Sequence, residues 1–432
     1  MTDETEVLVI GGGIIGASCA YYLAQDGRDV ALIEREDVIC PVGASSYANA
    51  GLVMPSDPVP LPSPGVLGQG MKWLLDSGSP LYVRPRPSLG LIRWLLGFAA
   101  ASREAPMRRA MPVLRALGVE GLKAFDEIVT SGSLHTCYRH NGILTLYLTR
   151  EALQGAAADA ARMKELFGIE AEVWDAATVH DRASAVLGAV VGGVFTGEDG
   201  YVEPCKLTRG LARLAEENGA TVLTGAEAIR LSRDGRRVSS VMTTRGTIRA
   251  RTVVLAAGVW SAGLVRDLRL SLPLQPAKGY SITIGRPPGV PDDLAFYLPE
   301  GHACATPFDG GLRLAGTLEL SGMNSRVLAN RVAAIQRGSA RYFAGVESAP
   351  TTELWRGFRP MTPDGLPMIG RPSGFDNLVV ATGHNMNGIM YGPATGKLVA
   401  EVVGDRRPSV DLSLLQPDRF NLLPNSRTTR RD

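Results

Sequence analysis

The residues with the clearest chemical meaning in this sequence are three glycines near the N-terminus and one acid that follows them. Gly11, Gly13 and Gly16 have the spacing GxGxxG, and Glu34 follows them by about 20 residues. The first glycine permits a tight turn, the second lets the backbone approach a pyrophosphate, and the third lets a helix pack closely on a strand. The Glu34 carboxylate can accept hydrogen bonds from ribose hydroxyls and would repel a 2′-phosphate. The spacing predicts a dinucleotide other than NADP, and a glycine-rich turn of another kind of α/β domain is the alternative.

The elements that would position this motif can be read from the residues around it. The apolar run from Val7 to Ile10 is typical of a buried parallel strand, and a second such run spans Val30 to Ile33. The pattern between them predicts a helix from Ile14 to Gln25 that ends at Gly27. The N-terminus of that helix would offer unpaired N–H groups to phosphates.

A long segment of small, polar, proline and glycine residues follows, from 40 to 65. Loops of this length in compact domains are usually functional or disordered. Its small residues would let the backbone lie along a long, flat ligand, which favours FAD over NAD; they are Ala44, Ser45, Ser46, Asn49, Ala50 and Gly51. A plain surface linker is the alternative.

Two later stretches, 253–264 and 378–399, again run from an apolar strand through a glycine turn into a helix. Other helical and strand-like segments lie between these stretches and the N-terminal motif. The interleaving predicts an α/β fold with a discontinuous dinucleotide-binding domain and a second domain inserted in two pieces. We predict residues 1–60, 197–270 and 352–420 for the first domain, 61–196 and 271–351 for the second, and a flexible tail at 421–432.

Composition excludes several classes of function. The 432 residues carry a net charge of +2, which gives no reason to expect a nucleic-acid partner. Five scattered cysteines favour neither a disulfide framework nor a metal site, and fit a reducing compartment. No signal peptide is visible, and the apolar stretch 89–101 is shorter than the roughly 20 residues that span a bilayer. We therefore expect a cytoplasmic protein, with a peripheral position at the inner membrane left open.

Several motifs resemble those of the FAD-dependent D-amino-acid oxidase/dehydrogenase superfamily, which includes glycine and sarcosine oxidases. The resemblance covers nearly the whole chain and is greatest to bacterial D-amino-acid dehydrogenases and hydroxyproline-oxidising relatives. The motifs are VLVIGGGIIGASCAYYLAQDGRDVALIER, GASSYANAGLV, VVLAAGVWS, AKGYSITI, RLAGTLEL, GFRPMTPDGLPMIG and GHNMNGI.

The resemblance implies that the first domain is a discontinuous Rossmann-type FAD-binding domain and that the inserted one is an α+β substrate domain with a mixed sheet. It also implies which residues surround FAD. It implies pyrophosphate and ribose contacts at the first turn, contacts along the small-residue loop, and flavin contacts at the C-terminal turn. The residues are Gly11, Gly13, Ile14, Ile15, Gly16, Glu34, Arg35, Ser45, Ser46, Asn49, Ala50, Gly51, Leu52, Ala228, Ala257, Gly258, Trp260, Gly383, His384, Asn387, Gly388, Ile389 and Met390. Relatives with covalent flavin carry a cysteine in the C-terminal turn, and this turn has none, so we expect FAD bound non-covalently.

The implied reaction is oxidative deamination of an amino or imino acid, in which hydride leaves Cα for flavin N5 and the imine is hydrolysed to a keto acid. Arg359 is our first candidate for the substrate carboxylate, because a guanidinium matches a carboxylate with two hydrogen bonds. Tyr280, His302 and Cys304 are further candidates on strands expected to cover the flavin. The alternatives are a surface salt bridge for Arg359, a core aromatic for Tyr280, a core or surface histidine for His302, and apolar filler for Cys304.

Met386 marks a departure from glycine oxidase-like relatives, which carry a second arginine in this turn. Without that second cation, glycine is a poor candidate substrate. A methionine suggests a flexible apolar wall for a larger or cyclic side chain.

The sequence leaves the electron acceptor, membrane contact and oligomeric state open. The segment 71–101, with Trp73, Leu74, Leu75, Leu91, Trp94, Leu95 and Phe98, is interpreted either as core or as a patch for membrane or an electron acceptor. The acceptor can be oxygen or a quinone or dye, and an oligomer is also open. The competing functions are an NAD-linked dehydrogenase, a sarcosine, secondary-amine or opine-type oxidase, and a flavoprotein subunit that works only within a complex.

Overall fold

The computed structural model of the protein describes residues 4–68, 70, 81–84, 88–130, 134 and 138–420. Trp73, Leu74, Leu75 and the predicted tail at 421–432 lie outside the described residues. The helices are α1 Ile14–Gln25, α2 Leu89–Ala101, α3 Glu104–Thr130, α4 Arg150–Phe167, α5 Ala176–Arg182, α6 Pro204–Glu217, α7 Ser261–Leu264, α8 Ala329–Ala340 and α9 Gly388–Val403.

The strands form two large sheets and one short pair. They are β1 Glu4–Ile10, β2 Val30–Ile33, β3 Leu52–Val53, β4 Leu81–Val83, β5 Ile143–Tyr147, β6 Glu172–Asp175, β7 Gly192–Thr196, β8 Gly200–Tyr201, β9 Thr221–Leu223, β10 Ala228–Asp234, β11 Arg237–Thr243, β12 Gly246–Leu255, β13 Gln275–Ile284, β14 Ala295–Leu298, β15 Ala303–Phe308, β16 Gly311–Leu320, β17 Thr351–Met361, β18 Met368–Gly370 and β19 Leu378–Thr382.

The first sheet has a parallel centre in the order β9-β2-β1-β12-β19. Its central strands are buried on both faces because helices α1, α6 and α9 pack against one side and a second apolar cluster covers the other. Strands β10, β11 and β18 extend it in antiparallel pairings. This is the Rossmann-type α/β arrangement expected from the sequence, with parallel strands at its centre.

The second sheet is mixed and has the order β17-β13-β16-β15-β14-β5-β7-β6, with β4 paired to β16. Helix α8 covers one face, where it contributes to an apolar cluster around Phe296, Tyr342 and Phe343. The other face looks toward the first sheet. The predicted fold class, α/β with an additional mixed sheet, is confirmed.

One strand crosses a predicted domain boundary. Strand β17 pairs with β13 over its whole length, so residues 352–361 belong to the mixed sheet and not to the parallel sheet. The boundary that we predict at 351/352 therefore falls at the beginning of a strand. We propose that the mixed-sheet region extends to Met361.

The first glycine turn has the backbone geometry that its sequence suggests. Gly11 has φ of 112°, which L side chains rarely adopt. A Cβ on Gly16 would lie 1.7 Å from the Gly11 carbonyl oxygen, so only glycine allows helix α1 to start this close to β1.

Candidate functional site

A cavity of about 460 Å³ lies between the two sheets. It begins at the first glycine turn and runs past the small-residue loop to strand β17 and the C-terminal turn. Predicted site residues in its wall are Gly11, Gly13, Ile14, Ile15, Glu34, Arg35, Ser45, Ser46, Asn49, Ala228, Ala257, Gly258, Trp260, Arg359, His384, Met386, Gly388 and Ile389.

Glu34 is fixed at the end of β2 by backbone donors. One carboxylate oxygen accepts a hydrogen bond from the Gly12 N–H at 2.7 Å, and the other accepts one from the Glu36 N–H at 3.1 Å. The carboxylate is buried but borders the cavity. The Arg35 guanidinium lies 4.1 Å from the centre of the Trp260 ring and forms a further part of this end of the cavity.

The start of helix α1 leaves room for a ligand. Gly13 at the N-cap has no capping side chain, and a Cβ there would meet only the Ser46 hydroxyl, at 3.5 Å. That hydroxyl accepts a hydrogen bond from the Ile14 N–H at 3.0 Å. The space beside Gly13, the helix N-terminus and the nearby carboxylate together fit the pyrophosphate and ribose of a dinucleotide.

The small-residue loop is tied to the mixed sheet. The Ser281 hydroxyl donates to the Ala48 carbonyl at 2.6 Å, and the Thr306 hydroxyl donates to the Ala50 carbonyl at 2.8 Å. The Ser45 hydroxyl also donates to the Phe358 carbonyl. These bonds make the loop a wall shared by both sheets rather than a free surface linker.

The C-terminal turn closes the other end of the cavity. Asn385 has φ of 52°, and its side chain bonds the Gly383 carbonyl at 2.9 Å and the Thr362 N–H at 2.9 Å. Helix α9 starts directly after the turn, and Gly388 and Ile389 border the cavity. The positive end of the α9 dipole therefore lies at the cavity wall.

His384 is a neutral wall residue. The Thr395 hydroxyl donates to the Tyr391 carbonyl at 2.7 Å, so it can only accept from His384 Nε2, which lies 2.9 Å away. Burial lowers the pKa of His384 to about 3. The ring is therefore uncharged at neutral pH.

Arg359 is the strongest feature of the mixed-sheet side of the cavity. Its Nη1 donates to the Thr317 carbonyl at 3.0 Å, and among the described residues no carboxylate lies within ion-pair distance of it. Burial lowers the pKa of Arg359, with the nearby Cys304 acting in the opposite direction, but a guanidinium stays charged in proteins. Arg359 is thus a cation in the cavity wall that has no carboxylate partner among the described residues.

Cys304 lies on β15 near this guanidinium. Its thiol is half-buried, and burial raises its pKa to about 12 despite the opposing Arg359 charge. The thiol is therefore protonated at neutral pH and does not supply a counter-charge.

Tyr280 does not reach the cavity, contrary to the expectation that it could donate to the substrate carboxylate. Its hydroxyl donates to Glu319 at 2.6 Å, and its ring packs in the cluster beneath α8. Neighbouring strand residues point to opposite faces. The Ser281 side chain faces the loop on the cavity side, so Tyr280 faces away.

His302 is also placed away from the cavity. It has φ of 53° at the exposed turn that follows the short helix Pro299–Gly301 and precedes β15. The turn that joins β14 to β15 carries it to the sheet surface, so the structure does not bring it to Arg359.

Other predicted residues do not line this cavity: Gly16, Ala50, Gly51, Leu52, Gly383, Asn387, which lines a second cavity, and Met390. Met390 is buried against helix α3, where a Cβ on Gly121 would lie 2.4 Å from its carbonyl oxygen. Sequence reasoning missed a number of wall residues, among them Trp355, Thr382 and Asn385. The alternation Trp355-x-Gly357-x-Arg359 on β17 is the signal that could have indicated the first of them.

Met386 lies between this cavity and a second one. Its side chain is 50% exposed, and together with Asn385 it borders both spaces. The second cavity, of about 930 Å³, is also lined by Met54, Asp57 and Tyr297. A group bound at Arg359 would therefore have Met386 between it and a larger space.

Comparison with known proteins gives a consistent result. A family model described as FAD dependent oxidoreductase (DAO) matches residues 6–402. A D-amino acid dehydrogenase of Bradyrhizobium diazoefficiens is 32% identical over 96% of this chain and 99% of its own, and one of Methylobacterium nodulans is 31% identical over 94% and 96%. The crystal structure of glycine oxidase from Geobacillus kaustophilus superposes with a TM-score of 0.76 at 23% identity, covering 96% of this chain and 99% of that one.

Proposed function

Because this chain belongs to the DAO family of FAD-dependent oxidoreductases, we propose that it oxidatively deaminates a D-amino acid or a cyclic imino acid. The match confirms the family and the FAD dependence that the sequence motifs predict. The substrate class rests on the relatives named D-amino acid dehydrogenase and on one feature of the cavity.

That feature is the Arg359 guanidinium, which lies in the cavity wall and has no anionic partner among the described residues. The guanidinium is half-buried, and an anionic ligand would offset the cost of partly removing an unpaired charge from water. A substrate carboxylate fits a guanidinium fork in two parallel hydrogen bonds. This residue therefore supports recognition of an amino or imino acid by its carboxylate.

The fit of the cavity to FAD supports the rest of the proposal. The first turn, Glu34 and the Arg35–Trp260 stack would hold the adenosine and pyrophosphate, and the C-terminal turn would border the ring. When bound, FAD supplies the acceptor for the hydride that leaves Cα. The N-terminus of α9 would stabilise negative charge on the ring.

The side chains around Arg359 are suited to positioning rather than proton transfer. His384 is neutral and the Cys304 thiol is protonated at neutral pH. Among the described residues, the cavity wall near Arg359 carries no carboxylate. The chain would thus accelerate the reaction by fixing the carboxylate and orienting the Cα–H bond.

The test is anaerobic mixing of the FAD-loaded protein with a panel of D-amino acids, L-amino acids, sarcosine and prolines. The proposal predicts loss of the oxidised flavin absorbance with D-amino acids or cyclic imino acids. Bleaching by sarcosine alone would favour the secondary-amine alternative. An unchanged spectrum with every compound would favour a subunit that needs a partner.

The electron acceptor and the location of the protein can be tested separately from the substrate. Among the described residues, no helix is both long and apolar enough to cross a bilayer. Helix α2 buries Leu91 and Trp94 but exposes Leu89, Ile92 and Leu96, at 74%, 51% and 67%. We propose that this face makes peripheral contact with a membrane that carries a quinone acceptor.

Sedimentation with anionic lipid vesicles tests this contact. We expect the wild-type protein to sediment and a variant with Leu89, Ile92 and Leu96 changed to serine to stay in solution. Sedimentation of both proteins would contradict a role for this face. Activity of the purified enzyme with oxygen and with a quinone analogue would separate the two classes of acceptor.

A further inference from the structure

We propose that Gly279 and the backbone of Thr317 are positioning residues that hold the Arg359 guanidinium flat and ready for a carboxylate. The inference deepens the proposed function and rests on it. It is carried by an irregularity in the mixed sheet directly beneath Arg359.

Strand β16 has a bulge opposite Gly279. Lys278 pairs with Glu319 and Tyr280 pairs with Gly316, so two residues of β16, Thr317 and Leu318, oppose the single Gly279 of β13. Such bulges bend a strand and change the direction of its groups, and they are frequent beside active sites.

The bulge holds a strained residue. Thr317 has φ of 69°, in the left-handed region that a β-branched residue very rarely adopts. Residues kept in such conformations tend to lie at functional sites. Here the unusual conformation coincides with the Thr317 carbonyl accepting the Arg359 hydrogen bond at 3.0 Å.

Gly279 provides the surface on which the guanidinium lies. A Cβ on Gly279 would be 2.0 Å from Arg359 Nη1 and 2.4 Å from both Cζ and Nη2. These three guanidinium atoms are its nearest neighbours, so the group lies against the α-carbon of Gly279. Any larger residue at 279 would move the guanidinium away from this position.

The opposite face of the sheet fixes the bulge. Lys278 and Glu319 form an ion pair at 3.0 Å, with side chains only 0% and 3% exposed. The Tyr280 hydroxyl donates to the second oxygen of Glu319 at 2.6 Å, and Lys278 also donates to the Arg326 carbonyl at 2.6 Å. The pairs on either side of the bulge are therefore locked to one register.

The consequence is a preorganised cation. One Arg359 N–H is used by the Thr317 carbonyl, and among the described residues the other guanidinium N–H groups have no protein acceptor. Because the side chain is already ordered, a carboxylate would bind without the entropy cost of fixing a long flexible arginine. Gly279 and Thr317 would thus set the affinity for carboxylate rather than the chemistry.

The experiment compares propionate with propionamide as ligands of the FAD-loaded enzyme, measured through the absorbance of the bound flavin and as inhibitors of D-alanine oxidation. We expect Gly279→Ala to raise the Kd of propionate and the KM of D-alanine at least tenfold. Its FAD content, and its kcat within about threefold, should stay unchanged. Gly285→Ala is the matched control, because a Cβ there meets only ordinary contacts at 3.5 Å or more.

Thr317→Asn tests whether the backbone carbonyl or the side chain of residue 317 positions Arg359. Asparagine tolerates the left-handed region and keeps the carbonyl, so propionate should bind within twofold of the wild type. Weakening as large as that of Gly279→Ala would show that the Thr317 side chain matters and would overturn the proposal. Propionate binding by Gly279→Ala at the control affinity would also overturn it.

Two further variants keep the outcome interpretable. The first is needed if Gly279→Ala fails to fold. The double variant Gly279→Ala, Arg359→Leu should then fold and bind FAD, because it lacks the guanidinium that the new Cβ would clash with. Failure of this double variant to fold would overturn the positioning role. Arg359→Leu alone tests the proposed function. If it still distinguishes propionate from propionamide, carboxylate recognition by Arg359 is wrong, whatever Gly279 does.

Discussion

Lys278 and Arg359 are basic residues on neighbouring strands of one sheet, Lys278 buried and Arg359 half-buried, and their surroundings are opposite. Lys278 is fully buried and has an ion pair with Glu319 and hydrogen bonds to Asn324 and Arg326. Arg359 lies on the other face of the sheet and has a single carbonyl acceptor among the described residues. The protein supplies a carboxylate for the fully buried Lys278 and, among the described residues, none for the half-buried Arg359.

The difference separates a structural charge from a binding charge. A buried ion pair contributes little net stability, yet removal of one partner is strongly destabilising. A cation that is partly removed from water and has no partner costs some stability until a ligand supplies the anion. Lys278 should therefore matter for folding and Arg359 for substrate binding.

The largest expected effect is on folding. Lys278→Met leaves Glu319 buried without its partner and should lower the free energy of unfolding by about 3–5 kcal/mol. Urea denaturation followed by circular dichroism measures this. Lys206→Met is the control, because the Lys206–Asp309 pair is exposed and should contribute less than about 1 kcal/mol. Equal losses of unfolding free energy in both variants would show that the buried Lys278–Glu319 pair is no more important for folding than an exposed pair.

The second effect is on catalysis. Arg359→Leu should lower kcat/KM for a D-amino acid by about a hundredfold or more, equivalent to about 3 kcal/mol of lost recognition. Its unfolding free energy should stay equal or rise slightly, because a half-buried charge without a carboxylate partner is removed. Steady-state kinetics and urea denaturation of the same preparation measure both. A large loss of stability would mean that Arg359 is a structural cation like Lys278.

Asp199 provides a third case, in which a buried charge is removed by protonation. The carboxyl is 1% exposed and accepts hydrogen bonds from the Ser56 hydroxyl at 2.6 Å and the Ser56 N–H at 3.2 Å. Burial raises its pKa to about 8, from an ordinary value of 3.8. The folded state thus holds the proton more tightly than the unfolded state.

This gives a prediction with a definite sign. The stabilisation from the protonated Asp199 is complete below about pH 4 and is lost as pH rises toward 8. Asp199→Asn cannot ionise, so its melting temperature relative to the wild type should be several degrees higher at pH 8.5 than at pH 5. Thermal unfolding at the two pH values measures the difference. The same offset at both values would mean that Asp199 is ionised in the folded protein.

The smallest expected effect concerns Met386. Met386→Arg adds a second cation at the wall between the two cavities, where the side chain is half-exposed. We expect the relative kcat/KM to shift a few-fold toward the smallest amino acid and away from larger or cyclic ones. Met386→Leu is the control that keeps an apolar wall. An unchanged substrate profile in the arginine variant would remove Met386 as a specificity residue.

Local features were predictable where the sequence carries a periodic pattern. Helix α1 and strand β2 have the bounds that the apolar pattern predicts, and the GxGxxG turn has the expected geometry at Gly11 and Gly16. These features depend on neighbouring residues. Sequence reasoning reaches them because turn chemistry and helix periodicity are local.

The errors arise where distant strands meet. Tyr280 is one residue from Gly279, and sequence cannot tell which of two alternating faces looks toward the cavity. The position of the Arg359 guanidinium depends on Gly279 and Thr317, which lie on two other strands. It also depends on a bulge in β16 that the residue pattern does not predict. Such contacts are set by strand register, which a single sequence leaves open.

The most direct test of the account is the rate at which D-alanine and D-alaninamide reduce the bound flavin under anaerobic conditions. The two compounds differ only in the carboxylate that Arg359 is proposed to bind. The account predicts that the wild-type enzyme prefers D-alanine by at least about a hundredfold and that Arg359→Leu reduces this preference to near one. Equal rates for the two compounds in the wild-type enzyme would contradict it.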